Sequence, residues 1–454
     1  MDAIPPYQTD FDAEELRSRR IRLAHAIGEP AVAVVAGLGE LASMGLFRQS
    51  NEFYYLTGLE VPRAYLTVEG GSGRSVLYLT HRDPDRERSE GIAMSVEHAD
   101  VLRNLAGVDE VKPAEALTLD LAVRTYRPPR PRVFVPMAPA EGAAQSRIEM
   151  TAAAARAISD PWDGGHTREK RLVSELRRRF PELAIEDLTP HLDRMRLVKS
   201  AREQELLREA GRLTADAAAE AMRSTAPGVN EYELAAAALF KFLLSGARGE
   251  GYRAIVATGT NAWHGHYFRL ASQLKDGELV LYDYAPDFRY YTSDIGRMWP
   301  VNGTFTKAQR ALYGYIVEYH QTLLRLVKPG AFPKDILDAA AEEMRLVLER
   351  TTFAAPHHER AARTALDFRG HLSHPVGMAV HDVGEYRAGK LEPGMVISVD
   401  PMFWIPEDRL YIRCEDTVLV TDEGVEVLTA GAPLDPGATE QIMRQTGILQ
   451  RLHG

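Results

Sequence analysis

Four acids lie within or at the end of apolar segments: Asp283 and Asp294 in LVLYDYAPDFRYYTSDIGRMWP, Asp400 in GMVISVDP and Glu415 in YIRCEDTVLVT. A carboxylate inside an apolar run is poorly solvated, and two that approach each other repel unless a proton or a cation lies between them. Histidines accompany them: His264 and His266 in GTNAWHGHY, and His371, His374 and His381 in GHLSHPVGMAVHD. Asp283, Asp294, Asp400 and Glu415 with one imidazole form a mostly oxygen donor set. Such a set suits two hard or borderline divalent ions sharing bridging carboxylates. Each residue alone has a plainer reading. Asp283 and Asp294 read as surface acids, His374 as a structural histidine, His264 as no ligand, and the tandem His357-His358 as loop. The order of the whole set is more specific than any member.

The elements that must position these groups are legible. Leu279–Tyr284 reads as a strand, Ala285–Phe288 as a turn and Arg289–Ile295 as a returning strand. A hairpin turning near Phe288 brings Asp283 and Asp294 together. Gly394–Asp400 reads as a further strand. In the strand Tyr411–Thr421, Arg413 and Glu415 share one face and Cys414 the other. His264 and His266 share a face if their segment is extended. Ahead of each acid pair lies a helix pair broken by Pro-Gly, at Pro227-Gly228 and at Pro329-Gly330. A duplicated helix–helix–strand unit places the two acid pairs about a pseudo-twofold axis. Arg196–Thr214 reads as a helix with Leu206, Leu207, Ala210 and Leu213 on one face. Earlier, Asp12–His25 reads as an amphipathic helix with its arginines on the wet side. Strands follow at Ala31–Ala36, from Ala64, at Ser75–Leu79 and at Arg132–Val135, with a solvated loop over Arg82–Glu90. This alternation predicts an α/β first domain. A boundary at Glu186–Pro190 gives domains 1–190 and 191–454.

A chain of 454 residues with 45% apolar composition predicts two or more domains. Its net charge of −10 argues against nucleic-acid partners. The single cysteine, Cys414, excludes an internal disulfide. The N-terminal MDAIPPYQTDFDAEELRSRR has no apolar core of a signal peptide, and no apolar run is long enough to span a membrane. A cytoplasmic location is the resulting expectation.

The order Asp283, Asp294-Ile295-Gly296-Arg297, Ser373-His374 to His381-Asp382, Pro393 to Asp400-Pro401, and Ile412-Arg413-Cys414-Glu415 resembles the pita-bread metallopeptidases, in the Xaa-Pro aminopeptidase (aminopeptidase P) and prolidase branch. FRQSNEFYYLTGLEVPRAYL is similar to the entry motif of that family's creatinase-like first domain, and RLVKSAREQELLREA to its linker. The resemblance implies an α/β N-terminal creatinase-like domain and an α+β pita-bread catalytic domain with a pseudo-twofold repeat. It implies metal ligands at Asp283, Asp294, His374, Asp400 and Glu415, and substrate contacts at His266 and His381. Arg413 falls at the position that orients Asp283 or another ligand, and Asp400 at the general-base position. The implied cofactors are two divalent ions, manganese first, with cobalt or zinc as alternatives. The implied activity is release of the N-terminal residue from peptides with proline second, by a homodimer or homotetramer. A dipeptidase (prolidase) is the neighbouring alternative. A creatinase-like hydrolase without metal ligands is disfavoured by the acid or histidine at all five positions, and a catalytically impaired binding protein is the remaining reading. Departures surround the site. Asp400 stands where the family has glutamate, shortening the reach by about 1.5 Å. The usual Asp-Ala-Gly is Asp283-Tyr284-Ala285, and the usual Asp-Ile-Thr is Asp294-Ile295-Gly296. His371 lies three positions before His374 where the family has four.

Overall fold

The computed structural model describes residues 6–40, 46–126, 129–162 and 164–453. Residues 1–5, part of the segment read above as lacking a leader, lie outside them. The chain forms two compact units, Met1–Arg196 and Leu197–Gly454. Among the described residues, no helix is long and apolar enough to cross a membrane.

The first unit is built on a mixed sheet. Its strands are β1 (Ala31–Ala36), β2 (Tyr65–Glu69), β3 (Ser75–Leu79), β4 (Glu110–Pro113), β5 (Arg132–Val135) and β6 (Ile185–Asp187), in the order β4-β3-β2-β1-β5-β6. β6 and the helix Thr189–Leu197 continue through the segment where the sequence places a domain boundary. The first helix, Ala13–Ile27, is capped by the Asp12 side chain, which accepts from the Glu15 amide. Its arginines are not all on the wet side. Arg19 and Arg20 are fully buried. Arg20 donates to the carbonyls of Leu56 (2.7 Å), Ala106 (2.8 Å) and Gly107 (2.5 Å), and Arg19 donates to that of Tyr55 at 3.0 Å. The reason is that the helices Asn51–Thr57 and Ala99–Ala106 end here, leaving carbonyls without intrahelical partners. Burial pulls the Arg20 guanidinium down to about 10. Arg20→Ala is expected to cost roughly 3 kcal/mol, because three carbonyls lose a charged donor. A lowered urea midpoint would report it. The Arg82–Glu90 segment is solvated as expected, yet helical over Pro84–Glu90, with no buried residue. The Asp83 side chain accepts from the amides of Asp85 and Arg86, and Pro84 sits in the first turn.

In the second unit the helix does not run from Arg196. The chain is extended at Val198, which bridges Met395, and the helix restarts at Ala201 with a Ser200/Glu203 capping box. Ala201–Arg223 packs on Glu231–Leu244, and Lys307–Leu326 on Pro333–Arg350. These are the two helix pairs of the repeat. The strands are β7 (Gly249–Glu250), β8 (Ile255–Thr258), β9 (Leu279–Asp283), β10 (Pro286–Asp287), β11 (Ile295–Pro300), β12 (Val396–Val399), β13 (Met402–Ile405), β14 (Leu410–Arg413), β15 (Glu415–Val420) and β16 (Val425–Val427). The main sheet runs β12-β15-β11-β9-β8, with β16 on β15. The two halves of the repeat meet where β11 pairs β15, with Gly296 opposite Glu415.

The hairpin differs from its sequence reading in one respect. β9 pairs antiparallel with β11, Tyr282 opposite Arg297, so the returning arm begins at Ile295 rather than Arg289. The reversal falls at Arg289-Tyr290 (φ 52° and 75°), between Phe288 and Tyr291, which exchange backbone hydrogen bonds of 2.8 and 3.0 Å. Two consecutive positive φ angles make a primed turn, whose twist matches the strands it joins. Pro286-Asp287 is drawn aside to pair with β7. Continuing the ladder, Asp283 lies opposite Gly296, and Asp294 becomes its diagonal neighbour on the same face.

Candidate metal centre

The carboxylates predicted to converge do so. The Tyr252 hydroxyl lies 2.5 Å from Asp283 Oδ1 and 2.9 Å from Asp294 Oδ1. Asp294 is fixed to β15 through Thr417, whose Oγ1 accepts from the Asp294 amide at 2.8 Å and donates to its carbonyl at 2.9 Å. His374 Nε2 lies 3.2 Å from Asp294 Oδ2. Asp294, His374 and Glu415 each offer a ligand atom, all within 4.8 Å of one another. The Ser398 hydroxyl donates to Glu415 Oε1, and Arg297 Nη1 holds the Glu415 carbonyl at 2.5 Å.

Arg413 lies across the remaining oxygens. Its Nη1 donates to Asp283 Oδ2 at 2.6 Å, and its Nε and Nη2 fork onto the two oxygens of Asp400 at 3.1 and 2.8 Å. Nη2 also contacts Glu415 Oε2. Arg413 and Glu415 thus share a face, as expected, while Cys414 is buried in the core with Leu281, Met298 and Ile397. Gly296 makes room for this arrangement. A Cβ there would lie 2.9 Å from Glu415 Cβ and 3.0 Å from Arg413 Nε. Gly296→Ala is expected to displace the guanidinium, costing about 1–3 kcal/mol as overpacking. A urea melt measures that loss, and a calorimetric titration with Mn2+ should show weakened binding.

Burial raises three of these carboxyls. Burial, then the Asp283 charge, pushes Asp294 up to about 7. Burial lifts Asp400 and Glu415 well above the ordinary carboxylate range despite Arg413. Were all four ionised, one guanidinium would leave negative charge uncompensated, which is the electrostatic condition for a cation site.

The histidines separate. The His381 ring lies 4.4 Å from that of His374, and the His266 ring 6.2 Å from that of His381. His264 is exposed at the end of the 3-10 turn Gly259–Trp263. That segment is therefore not extended. Buried Glu231 holds it, accepting from the Thr258 amide and the Asn261 side chain, each at 2.9 Å. His371 packs on Phe368 with ring centroids 5.0 Å apart. His357 and His358 lie not in a loop but in the first turn of the helix Pro356–Ala365, and both reach Asp408, at 3.2 and 2.6 Å. Sequence reasoning missed Tyr252, Ser398 and Thr417. Ser398 and Thr417 are lone hydroxyls in apolar strands and Tyr252 lies in a bend between strands, so none carries a spacing signal.

The model of metallopeptidase family M24 matches residues 205–422, and that of the aminopeptidase P N-terminal domain matches residues 16–127. The chain is 31% identical to the Xaa-Pro aminopeptidase of Escherichia coli K12, over 96% of this chain and 98% of the relative. The chain belongs to metallopeptidase family M24. Among solved structures, aminopeptidase P from E. coli with the inhibitor Pro-Leu superposes with a TM-score of 0.78 at 28% identity, covering 96% of this chain and 99% of that one. Proline aminopeptidase P II from Yersinia pestis gives 0.76 at 29% identity, covering 96% and 100%. As an M24 metallopeptidase the chain is a metal-dependent hydrolase. The oxygen and imidazole donors of Asp294, His374 and Glu415 fit a divalent ion. Asp283 and Asp400, by contrast, face Arg413.

Proposed function

We propose that this M24 metallopeptidase releases the N-terminal residue from peptides carrying proline in the second position. The observation that carries the reading is the convergence of Asp294, His374 and Glu415 in a chain matched nearly end to end by an Xaa-Pro aminopeptidase. In this reading domain 191–454 is catalytic. Asp283, Asp294, His374, Asp400 and Glu415 hold two divalent ions, manganese by preference, with cobalt or zinc as substitutes. Once bound, the ions supply a Lewis acid and an activated water at neutral pH.

The chain's own side chains do the rest. His381 and His266, ranged beyond His374, hydrogen-bond the carbonyl of the bond before proline and steady the charge that develops on its oxygen. Asp283 anchors the substrate's free amino group. The leaving proline nitrogen becomes a secondary amine and needs a proton. Asp400 and Glu415, whose carboxyls burial raises above the ordinary range, are placed to carry it. Arg413 orients Asp283 and Asp400. The same proposal places the enzyme in the cytoplasm as a homodimer or homotetramer acting on peptides, without nucleic acid or membrane. The test is hydrolysis of Gly-Pro and of an Arg-Pro-Pro peptide with and without added Mn2+. Manganese-dependent release of arginine is expected. Cleavage of Gly-Pro alone would make the enzyme a dipeptidase, and cleavage of neither would favour an impaired, binding-only protein.

A further inference from the structure

We infer that His357, His358 and Asp408 form a further divalent-ion site, apart from the carboxylate centre and suited to zinc. The inference goes beyond the peptidase reading and does not depend on it.

The site lies where the start of a helix meets the tip of a hairpin. Pro356 opens the helix Pro356–Ala365, so His357 and His358 fall in its first turn. Asp408 lies in the turn 406–409 between β13 and β14, where Ile405 pairs with Leu410. The turn is held by its own backbone. The Asp408 amide donates to the Ile405 carbonyl and the Arg409 amide to that of Pro406, each at 3.2 Å. Adjacent helical residues normally diverge by about 100°. Here both rings nonetheless reach one carboxylate, with centroids 4.5 Å apart and planes at 82°. His357 Nε2 lies 3.2 Å from each Asp408 oxygen, and His358 Nε2 lies 2.6 Å from Oδ2. One ligand atom from each of the three lies within 4.8 Å of the others. Beside them Arg360 pairs with Glu407 at 2.9 Å, so the flanking charges cancel.

Two imidazoles and a carboxylate are a zinc donor set, with water taking a further position. His357 and Asp408 are partly exposed, so water reaches the cluster. His358 is buried, and its Nδ1 has no hydrogen-bond partner. Nδ1 is thus unpartnered in either tautomer. Moving the ring proton there frees the Nε2 lone pair and breaks no bond except the one to Asp408, which the ion replaces. The His358 contact foremost, with that of His357, holds the Asp408 carboxyl below its ordinary range. An ionised Asp408 supplies the charge that a dication needs. Nitrogen donors favour zinc, whereas manganese prefers oxygen donors and fits this cluster poorly.

An ion here clamps the helix to the hairpin. β13 follows directly on Asp400-Pro401, and β14 ends at Arg413, opposite Met402. The hairpin that zinc would hold at its tip therefore carries Asp400 and Arg413 at its base.

The experiment is equilibrium dialysis of the full chain against graded free Zn2+ or Mn2+, with bound metal counted per chain by mass spectrometry, for wild type, His357→Gln and Asp408→Asn. Both positions are partly exposed, and either variant serves if the other does not fold. Each variant should bind one zinc ion fewer than wild type at the same free zinc, the affected step being weakened by about tenfold or more. Manganese uptake should be the same in all three. Hydrogen exchange at 406–409 should slow when zinc is added to wild type and not when it is added to either variant. Equal zinc counts in all three proteins would overturn the inference and leave the cluster a hydrogen-bonded clasp. A zinc loss matched by an equal manganese loss would overturn it too, by placing the effect at the carboxylate centre. None of these readouts requires peptide cleavage, so the site and the aminopeptidase reading stand or fall separately.

Discussion

Glu415→Gln is expected to lower kcat/KM on an Xaa-Pro peptide by about a thousandfold or more, equivalent to about 4 kcal/mol of transition-state stabilisation. Glu415 is fully buried, and its two oxygens face different parts of the centre. Its Oε1 accepts from Ser398, its Oε2 meets Arg413, and its carboxylate completes the Asp294 and His374 cluster. The amide preserves size and can still accept from one neighbour. It cannot supply the negative charge, and its NH2 turns a donor toward either Ser398 or Arg413. Bound manganese should fall with activity. Stability without metal should not fall, because the substitution also removes a buried carboxyl that burial holds well above its ordinary range. Kinetics, metal content and a melt in chelator separate this from simple unfolding, which would lower all three together.

Stripped of divalent ions, the protein should lose stability as pH rises from about 5 to 8. The sign follows from linkage. Asp294 titrates near 7 in the fold, against about 3.9 in an unfolded chain. The folded state therefore holds a proton that the unfolded state has lost between those values. The stabilisation from that proton is whole below about 4 and is lost as pH climbs through about 7. Asp400 and Glu415 are raised by the same cause and add to the slope. A bound dication replaces the protons, so its stabilisation grows over the same interval. Calorimetry should show the melting temperature in chelator falling by roughly 5 °C or more across this range, with saturating Mn2+ removing most of the fall. A flat metal-free profile would mean that these carboxyls are solvated and that the centre carries no excess charge.

Much of this was legible in the sequence because acids in apolar strands are costly and therefore visible. Asp283, Asp294, Asp400 and Glu415 are all buried, and all lie at the ends or joints of β9, β11, β12 and β15. The Pro-Gly breaks marked the helix pairs correctly because they obey local rules. What escaped depends on partners distant in sequence. Arg19 and Arg20 look like wet-face arginines until two helix ends deliver carbonyls to them. The turn at Arg289-Tyr290 lacks the Asn or Gly that advertises positive φ, so the hairpin was read with its second arm too early. In the sequence Gly296 stands only as a departure from the usual threonine. The Glu415 and Arg413 side chains beside it leave the position no room for a Cβ. Tyr252 belongs to no motif, yet its hydroxyl joins Asp283 to Asp294.

The most direct test of the account is mass-spectrometric analysis of Arg-Pro-Pro and Arg-Ala-Pro peptides incubated with manganese-loaded protein, with chelated protein and with Glu415→Gln. The account predicts release of arginine from the proline peptide alone, and only by the manganese-loaded wild type. Release that persists in chelator or in Glu415→Gln, equal cleavage of the alanine peptide, or no release by protein carrying bound manganese would contradict it.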